Sequence, residues 1–458
     1  MTSTPERPPF GRGLPGNRWD LLEGMRPDPL PTVSVIVVHY RQQAELDRTL
    51  AALARQTYPA DLLEIVVVDD GSPTPPVVPD GVTLVVQEDD GFRVAAARNL
   101  GIRSSTGAIV CFLDADTSPS PSYVAEATRL PALAPEAVVT GRRRHADFAG
   151  LPVEAPVDEA GPAHELPEPQ WLVDAYDRSH NLLDADDRSY RHLLGAVITC
   201  SRWFLSQCGG FDESFRDYGG EDWEWSHRAW LAGAVFAFVP SAEAWHDGPE
   251  WAARADGNGA ADADARDEEA RRRARKNAET LRLADAVPVA GSRGRAVRSR
   301  SVDVEIRLHG SPTAAAAFVT VDSLLAVLPM ARVVVPAEVA PVFRCDERVT
   351  GPEAGDARTP PRVRLDVLVP LRVDSEGASP ALLAVVGAEG ANGVGVGMLG
   401  SVEYVVAGAV ALRITSSRAA IRERRWGPGL FETSQRSAPW LTLLDPEPPL
   451  AAYLGGWG

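Results

Sequence analysis

Two short apolar runs that each stop at a pair of acids, EIVVVDDGS (64–72) and AIVCFLDAD (108–116), constrain the fold of this chain more than any other feature. Apolar and β-branched residues without polar alternation fit strands buried on both faces, as in parallel sheets, whose carboxyl ends open into a ligand crevice. Between them GFRVAAARNLG (91–101) is built of small, good helix formers. VSVIVVHY (33–40) and AELDRTLAALARQ, with Leu46, Leu50 and Leu53 on one helical face, come before them. Strand, helix and strand at this spacing imply right-handed crossovers and an α/β fold, a mostly parallel sheet flanked by helices.

Asp114 and Asp116 flank one residue at a strand end and can be held near one hard cation, which takes oxygen ligands. A bare Asp-x-Asp also fits a solvated loop or an Asx turn. The position directly after Phe112-Leu113, with Asp69 and Asp70 at the preceding strand end, favours the cation, which would balance a diphosphate. A second informative stretch is YGGEDWEWSHRAW (218–230). Gly219 and Gly220 permit close backbone approach, and Glu221-Asp222 opens an aromatic-rich helix whose dipole acids would favour. Capping alone does not account for two adjacent acids after two glycines. Trp223 and Trp230 lie two helical turns apart and share a face, which reads as core packing for at least one of them. VFAFVPSAEAWH (235–246) then reads as a strand and turn delivering His246.

In this order the motifs resemble the family-2 glycosyltransferases of the GT-A fold, over about the first half of the chain. The resemblance implies that Val38 and Tyr40 end the first strand beside the nucleobase, with Tyr40 placed to stack on it, that Asp70 contacts the base, and that Arg98 lies on the nucleotide side. Asp114 and Asp116 match the metal motif, with Asp116 the direct ligand. The GGED segment is similar to that of galactosyltransferases and bacterial chondroitin-type polymerases. There Asp222 is implied as general base, Glu221 as ligand of the acceptor hydroxyl, Gly220 as backbone beside the donor, and His246 as the group completing the metal site. One imidazole among oxygens suits Mn²⁺, or Mg²⁺, better than Ca²⁺. Related polypeptide sugar transferases, which retain configuration, carry Asn after that Glu, so Asp222 implies inversion. The expected reaction moves galactose or an N-acetylhexosamine from a nucleotide-sugar, UDP-linked, to a hydroxyl of a glycan, lipid-linked saccharide, peptide or small molecule. The other reading is a non-catalytic sugar-binding or scaffold protein. A nucleotidyltransferase would carry a Gly-rich basic loop after its first strand, and HYRQQAEL is not one.

The 458 residues predict two domains with linkers: an arm over 1–31, a catalytic domain over 32–250, a loop and charged helix over 251–300, and an accessory domain over 301–458. A net charge of −17 argues against nonspecific contact with nucleic acid or anionic lipid. No apolar run is long enough to span a bilayer and no signal peptide is visible, so a soluble, cytoplasmic protein is expected. The four cysteines lack metal-type spacing and read as reduced, mostly buried thiols. High Ala, Arg, Pro and Gly point to a GC-rich bacterial genome.

Residues 141–170 lose periodicity and read as a long loop, whose Arg142, Arg143 and Arg144 face either solvent or an anionic acceptor. WLVDAYDRSHNLLDADDRSYRHLL (171–194) reads as helical, and its Asp184-Ala185-Asp186, with no strand before it, as surface charge. His39 reads as capped or solvated and His227 as structural. The segment 247–283 is either a lid over the donor or a plain linker. The second half is either a degenerate second copy of the transferase fold or an unrelated accessory domain. ITSSRAAIRERRWGPGLFETS (414–434) echoes ITCSRWFLSQCGGFDESF (198–215), but the strand-end acids, the GGED and the histidine have no counterparts there.

Overall fold

The computed structural model describes residues 7–216, 219–249, 263–289, 291–294, 296–352, 359–387 and 400–455. Its first unit is a nine-stranded sheet. The strands are β1 (Val33–His39), β2 (Leu63–Asp69), β3 (Thr83–Val86), β4 (Ile109–Asp114), β5 (Thr117–Pro119), β6 (Ala137–Ala146), β7 (Glu165–Leu166), β8 (Ile198–Ser201) and β9 (Val235–Asp247). The order is β3-β2-β1-β4-β8-β6-β9-β5, with β7 on β6. β1, β2, β3, β4, β6 and β9 run one way, while β8, β5 and β7 run against them.

Every side chain of β1 is buried, as unbroken apolar patterning requires of a strand covered on both faces. On one face lie α1 (Gln43–Ala54), with Leu46, Leu50 and Leu53 buried, and α3 (Tyr123–Leu133). On the other lie α2 (Val94–Arg103), α6 (Arg202–Cys208) and α7 (Glu221–Leu231).

Several expectations are corrected. Residues 141–146 are not loop but the second half of β6, and α4 (Val157–Ala163) and β7 follow within the expected loop. The three arginines concealed the strand because their partners come from distant segments. Arg142 pairs with Glu168, and Arg144 with Glu165 and Glu243, while its guanidinium lies 4.2 Å from the ring of Trp245. The helix expected over 171–194 is only α5 (Gln170–Arg178). His180, Asn181 and Leu182 all have positive φ, and a 3-10 turn covers Ser189–His192. Leu182 takes φ 65° because it is fully buried there, so tertiary packing overrides helix propensity. Ala185 is likewise buried rather than part of an exposed charged helix. Of the cysteines, Cys111 and Cys200 are buried, Cys208 is half-buried, and Cys345 is exposed.

Helix α8 (Ala263–Ala286) leads to the second unit. That unit's sheet contains β10 (Val304–Leu308), β11 (Arg332–Val334), β12 (Val349–Thr350), β13 (Val363–Val367), β15 (Ser401–Val406), β16 (Ala409–Ser416) and β17 (Thr433–Ser437), in the order β12-β11-β10-β13-β16-β15-β17. A separate antiparallel pair joins β14 (Leu371–Val373) to β18 (Leu441–Leu443). Helices α9 (Ala314–Val327), α10 (Ser375–Val386), α11 (Ser417–Trp426) and α12 (Leu450–Leu454) complete it, and its apolar cluster is its own.

The N-terminal arm does more than lie over the first sheet. Asn17 Nδ2 donates to the carbonyls of Leu182 and Phe236, and Phe236 N–H donates back to Asn17 Oδ1. Arg422 of α11, fully buried, donates to the carbonyls of Leu14 and Gly16 and to Glu136. Glu136 also accepts from Arg425 Nη1 at 2.8 Å and Trp426 Nε1 at 2.9 Å. The arm is therefore wedged where the two units meet.

Candidate active site

Three parallel strands, β2, β1 and β4, bring their carboxyl ends to one edge. The β1 register sets His39 beside Asp69 and Val38 beside Asp114. His39 is neither solvated nor free: it is 2 % exposed, bonds Asp69 through Nδ1 at 2.8 Å, and accepts the Gln42 amide at its Nε2. Asp70 is buried and accepts from the Arg93 amide at 2.9 Å and from the Gln87 side chain. Burial raises its pKa against those bonds. Gly71 has φ 79°, and a Cβ there would sit 2.4 Å from the Asp89 amide nitrogen, so the turn holding Asp70 admits only glycine. Tyr40 is exposed at the crevice mouth with the Arg41 guanidinium 4.8 Å from its ring centre.

Asp116 and His246 meet because β5 pairs with the last part of β9, placing Thr117 opposite His246. His246 Nε2 is 3.5 Å from Asp116 Oδ2, and its Nδ1 lies 3.1 Å from the Gly248 carbonyl. A proton held on Nδ1 by the Gly248 carbonyl would leave the Nε2 lone pair to a cation bound beside the carboxylate. Gln42 Nε2 also donates to Asp116 at 3.2 Å. Burial would raise the Asp116 pKa, but the bond and charge of His246 and the Gln42 bond hold it down at about 2. An ionised carboxylate beside an imidazole lone pair is a donor set that fits Mn²⁺ or Mg²⁺. Among the described residues no group of three or more His, Cys, Asp or Glu converges on a metal position, so a cation here would complete its shell with ligand oxygens and water.

Glu221 and Asp222, the acids expected on the acceptor side, begin α7. Gly220 is its N-cap with φ 91°, and Gly219 has φ 99°. A Cβ on Gly219 would lie 3.1 Å from Glu279 Cδ of α8, so that helix packs on the glycine turn. Of the expected lid, 250–262 lie outside the described residues, as does Tyr218.

Asp222 is half-buried and accepts from Gly195 N–H at 3.1 Å and from Trp223 N–H at 2.8 Å. Burial raises its pKa, opposed by Arg98. Glu221 is buried, and burial together with Asp222 raises its pKa as well. Its Oε1 accepts from Arg98 Nη1 at 2.8 Å, while its buried Oε2 has no hydrogen-bond partner among the described residues. The other arm of Arg98 donates to Asp114 at 3.1 Å. Arg98, expected on the nucleotide side, is 2 % exposed and ties Asp114 at the end of β4 to Glu221 at the start of α7.

Two contributors escaped sequence reasoning. Gln42 follows the first strand without a motif to mark it. Gly195 supplies an amide to Asp222, and a Cβ there would press within 2.8 Å of the Arg98 guanidinium. A glycine just before the strand ITCS was its only trace.

His227 is 1 % exposed inside α7, stacked edge-on to Tyr190 at 5.4 Å, which agrees with its structural reading. Burial pushes its pKa down to about 3. An unfolded histidine takes up its proton near pH 6.5, so between those values the unfolded chain binds more protons and stability is lost as pH falls. Going from pH 7 to 4.5, the wild type should lose about 2–3 kcal/mol more than His227→Gln. Calorimetric melts of both proteins across that range check this, and parallel losses would assign the titration elsewhere.

Residues 34–155 match the model for glycosyl transferase family 2, and residues 184–246 match that for the N-terminal domain of galactosyltransferase. A validoxylamine A glucosyltransferase of Streptomyces hygroscopicus subsp. limoneus is 34 % identical over 238 residues, 47 % of this chain and 51 % of that protein. A hyaluronan synthase of Pasteurella multocida is 29 % identical over 246 residues, 47 % of this chain and 24 % of that protein. The chain thus spans between about a quarter and half of the length of these curated relatives. A solved structure of GalNAc-T7 with UDP, GalNAc and Mn²⁺ aligns with TM-score 0.37 and 18 % identity, covering 49 % of this chain and 45 % of that one.

The first unit is a glycosyltransferase domain. More narrowly, its residues 34–155 belong to glycosyl transferase family 2. Among the described residues no helix is long and apolar enough to cross a membrane.

Proposed function

We propose that this chain transfers a hexosyl unit, galactose or an N-acetylhexosamine, from a UDP-linked donor to an acceptor hydroxyl with inversion at the anomeric carbon. The observation that carries the reading is the Arg98 bridge: it brings Asp114, at the metal-side strand end, and Glu221, at the start of the acceptor helix, to one crevice. Val38, Tyr40 and Asp70 line the base end, and Gly220, packed against Phe215, Glu279 and Leu283, sets the start of α7 beside the sugar. Asp116 and His246 would hold Mn²⁺ or Mg²⁺, which when bound offsets the charge developing on the departing diphosphate.

Asp222 accepts the acceptor's hydroxyl proton while that oxygen forms its bond to the anomeric carbon and the bond to the diphosphate oxygen breaks. The Gly195 and Trp223 amides fix the carboxylate's orientation, and burial raises its affinity for the proton. Glu221 Oε2, unpartnered, is free to accept a second hydroxyl of the acceptor and orient it. The relatives' names span a glucosyltransferase acting on a small molecule and a polysaccharide synthase, so the acceptor is proposed only as a hydroxyl-bearing glycan, lipid-linked saccharide or small molecule.

The test is a panel of UDP-, GDP- and dTDP-sugars with Mn²⁺, Mg²⁺ or chelator, read as thermal shift and released nucleotide. Metal-dependent stabilisation confined to UDP donors is the expected outcome. Stabilisation by another class reassigns the donor, and folded protein silent to all donors points to a sugar-binding or scaffold role.

A further inference from the structure

The second sheet repeats the first strand for strand. Laid side by side, β12-β11-β10-β13-β16-β15-β17 matches β3-β2-β1-β4-β8-β6-β9, and every neighbouring pair keeps its parallel or antiparallel sense. The likeness extends to register. Ile109 lies beside Val33 on one side and Ser201 on the other; Val363 lies beside Val304 and Ser416. Ser201 and Ser416 each cap the helix that follows, with the hydroxyl accepting the amide three residues on. Both helices stop at a glycine of positive φ, Gly209 and Gly427. The antiparallel pair β5 and β9, with Thr117 opposite His246, reappears as β14 and β18, with Leu371 opposite Leu443. Asp247 N–H donates to the Asp116 carbonyl, and Leu444 N–H to that of Pro370.

This correspondence reads the fate of the metal-side and acceptor-side residues. Asp114 becomes Leu368, Asp116 becomes Pro370 and His246 becomes Leu443. Between Gly209 and β9 the first unit inserts all of α7, whereas only residues 428–432 separate Gly427 from β17, so Glu221 and Asp222 have no counterparts. Leucine and proline in place of two carboxylates and an imidazole leave no ligands for a cation, and so no metal to offset the charge of a diphosphate.

The copy still grips the first unit at one informative place. Its Arg418 guanidinium lies 3.9 Å from the ring centre of Trp230, near the end of α7, and donates to the Ala234 carbonyl at 2.9 Å. Its Arg362 donates to Asp187, whose other oxygen accepts Trp230 Nε1 at 2.8 Å. Trp230 is thus held on its face and at its edge, and the helix it ends begins with Glu221 and Asp222.

Resting on the transferase reading above, we infer that residues 304–444 are a duplicated transferase domain stripped of its metal and acceptor groups and kept as a brace on α7, with Arg418 and Arg362 as positioning residues. The test uses the full chain. Equilibrium dialysis with Mn²⁺ and UDP should count one nucleotide per wild-type chain and none for Asp116→Ala. Two per chain, or one persisting in Asp116→Ala, overturns the stripped copy; none in either protein overturns the transferase reading and the duplication with it. Arg418→Met should bind UDP as the wild type does yet turn over about 10- to 100-fold more slowly, the scale set by a misplaced catalytic group, with partial recovery in Arg418→Lys. Where Arg418→Met does not fold, Trp230→Phe, which loses the N–H held by Asp187 and part of the ring face covered by Arg418, carries the same test. Unchanged turnover, or turnover falling only in step with UDP binding, overturns the brace.

Discussion

Replacing Asp222 by asparagine should lower turnover by about 10²–10⁴-fold, the usual worth of a positioned general base, while metal-dependent nucleotide binding survives. Asparagine's single oxygen can accept only one of the Gly195 and Trp223 amides, so the loss combines the missing proton acceptor with one weakened contact at the start of α7, and surviving nucleotide binding is what shows that the donor end is undisturbed. Burial of Asp222 makes the point sharper: its raised pKa places the carboxylate closer to the pH at which it must take a proton. Single-turnover assays with saturating donor, alongside a UDP binding isotherm, separate the two effects. Unchanged turnover would remove Asp222 from the chemistry, and lost binding would show that the substitution reached the donor end through Arg98.

The second large effect is structural. Glu136 sits 2 % exposed just before β6 and neutralises two buried guanidiniums, Arg422 and Arg425, while also accepting from Trp426. Glu136→Ala leaves both cations buried without their carboxylate, which costs about 3–5 kcal/mol when one side of a buried pair is removed. Urea unfolding should show that loss as an earlier transition of the second unit relative to the first, because the lost contacts are those between them. A change below about 1 kcal/mol would place the pair among weakly contributing ion pairs instead.

The donor half of the site was legible because acids at the ends of unbroken apolar strands violate the strand pattern, and in an open α/β sheet such violations collect at the crevice. Asp69, Asp70, Asp114 and Asp116 all announced themselves in this way. The glycine pair before Glu221-Asp222 was legible for a similar reason, since two residues with positive φ before a helix leave little choice but glycine. What was hidden is equally specific. Arg142 and Arg144 masked a strand because their neutralising glutamates are not local, and Leu182 left the helical region because a fully buried site was waiting for its side chain.

By itself the sequence determined the α/β class, the strand ends that carry the acids, and the order of the motifs, since these follow from local periodicity and from what a buried strand tolerates. Only the tertiary structure decided that Arg98 joins Asp114 to Glu221, that the Gly195 amide meets Asp222, and that the second sheet retraces the first. Each of these rests on pairing between residues far apart in the chain. Hydrogen-bond register and ion-pair geometry across such distances leave no periodic trace, so they exist only once the chain has closed on itself.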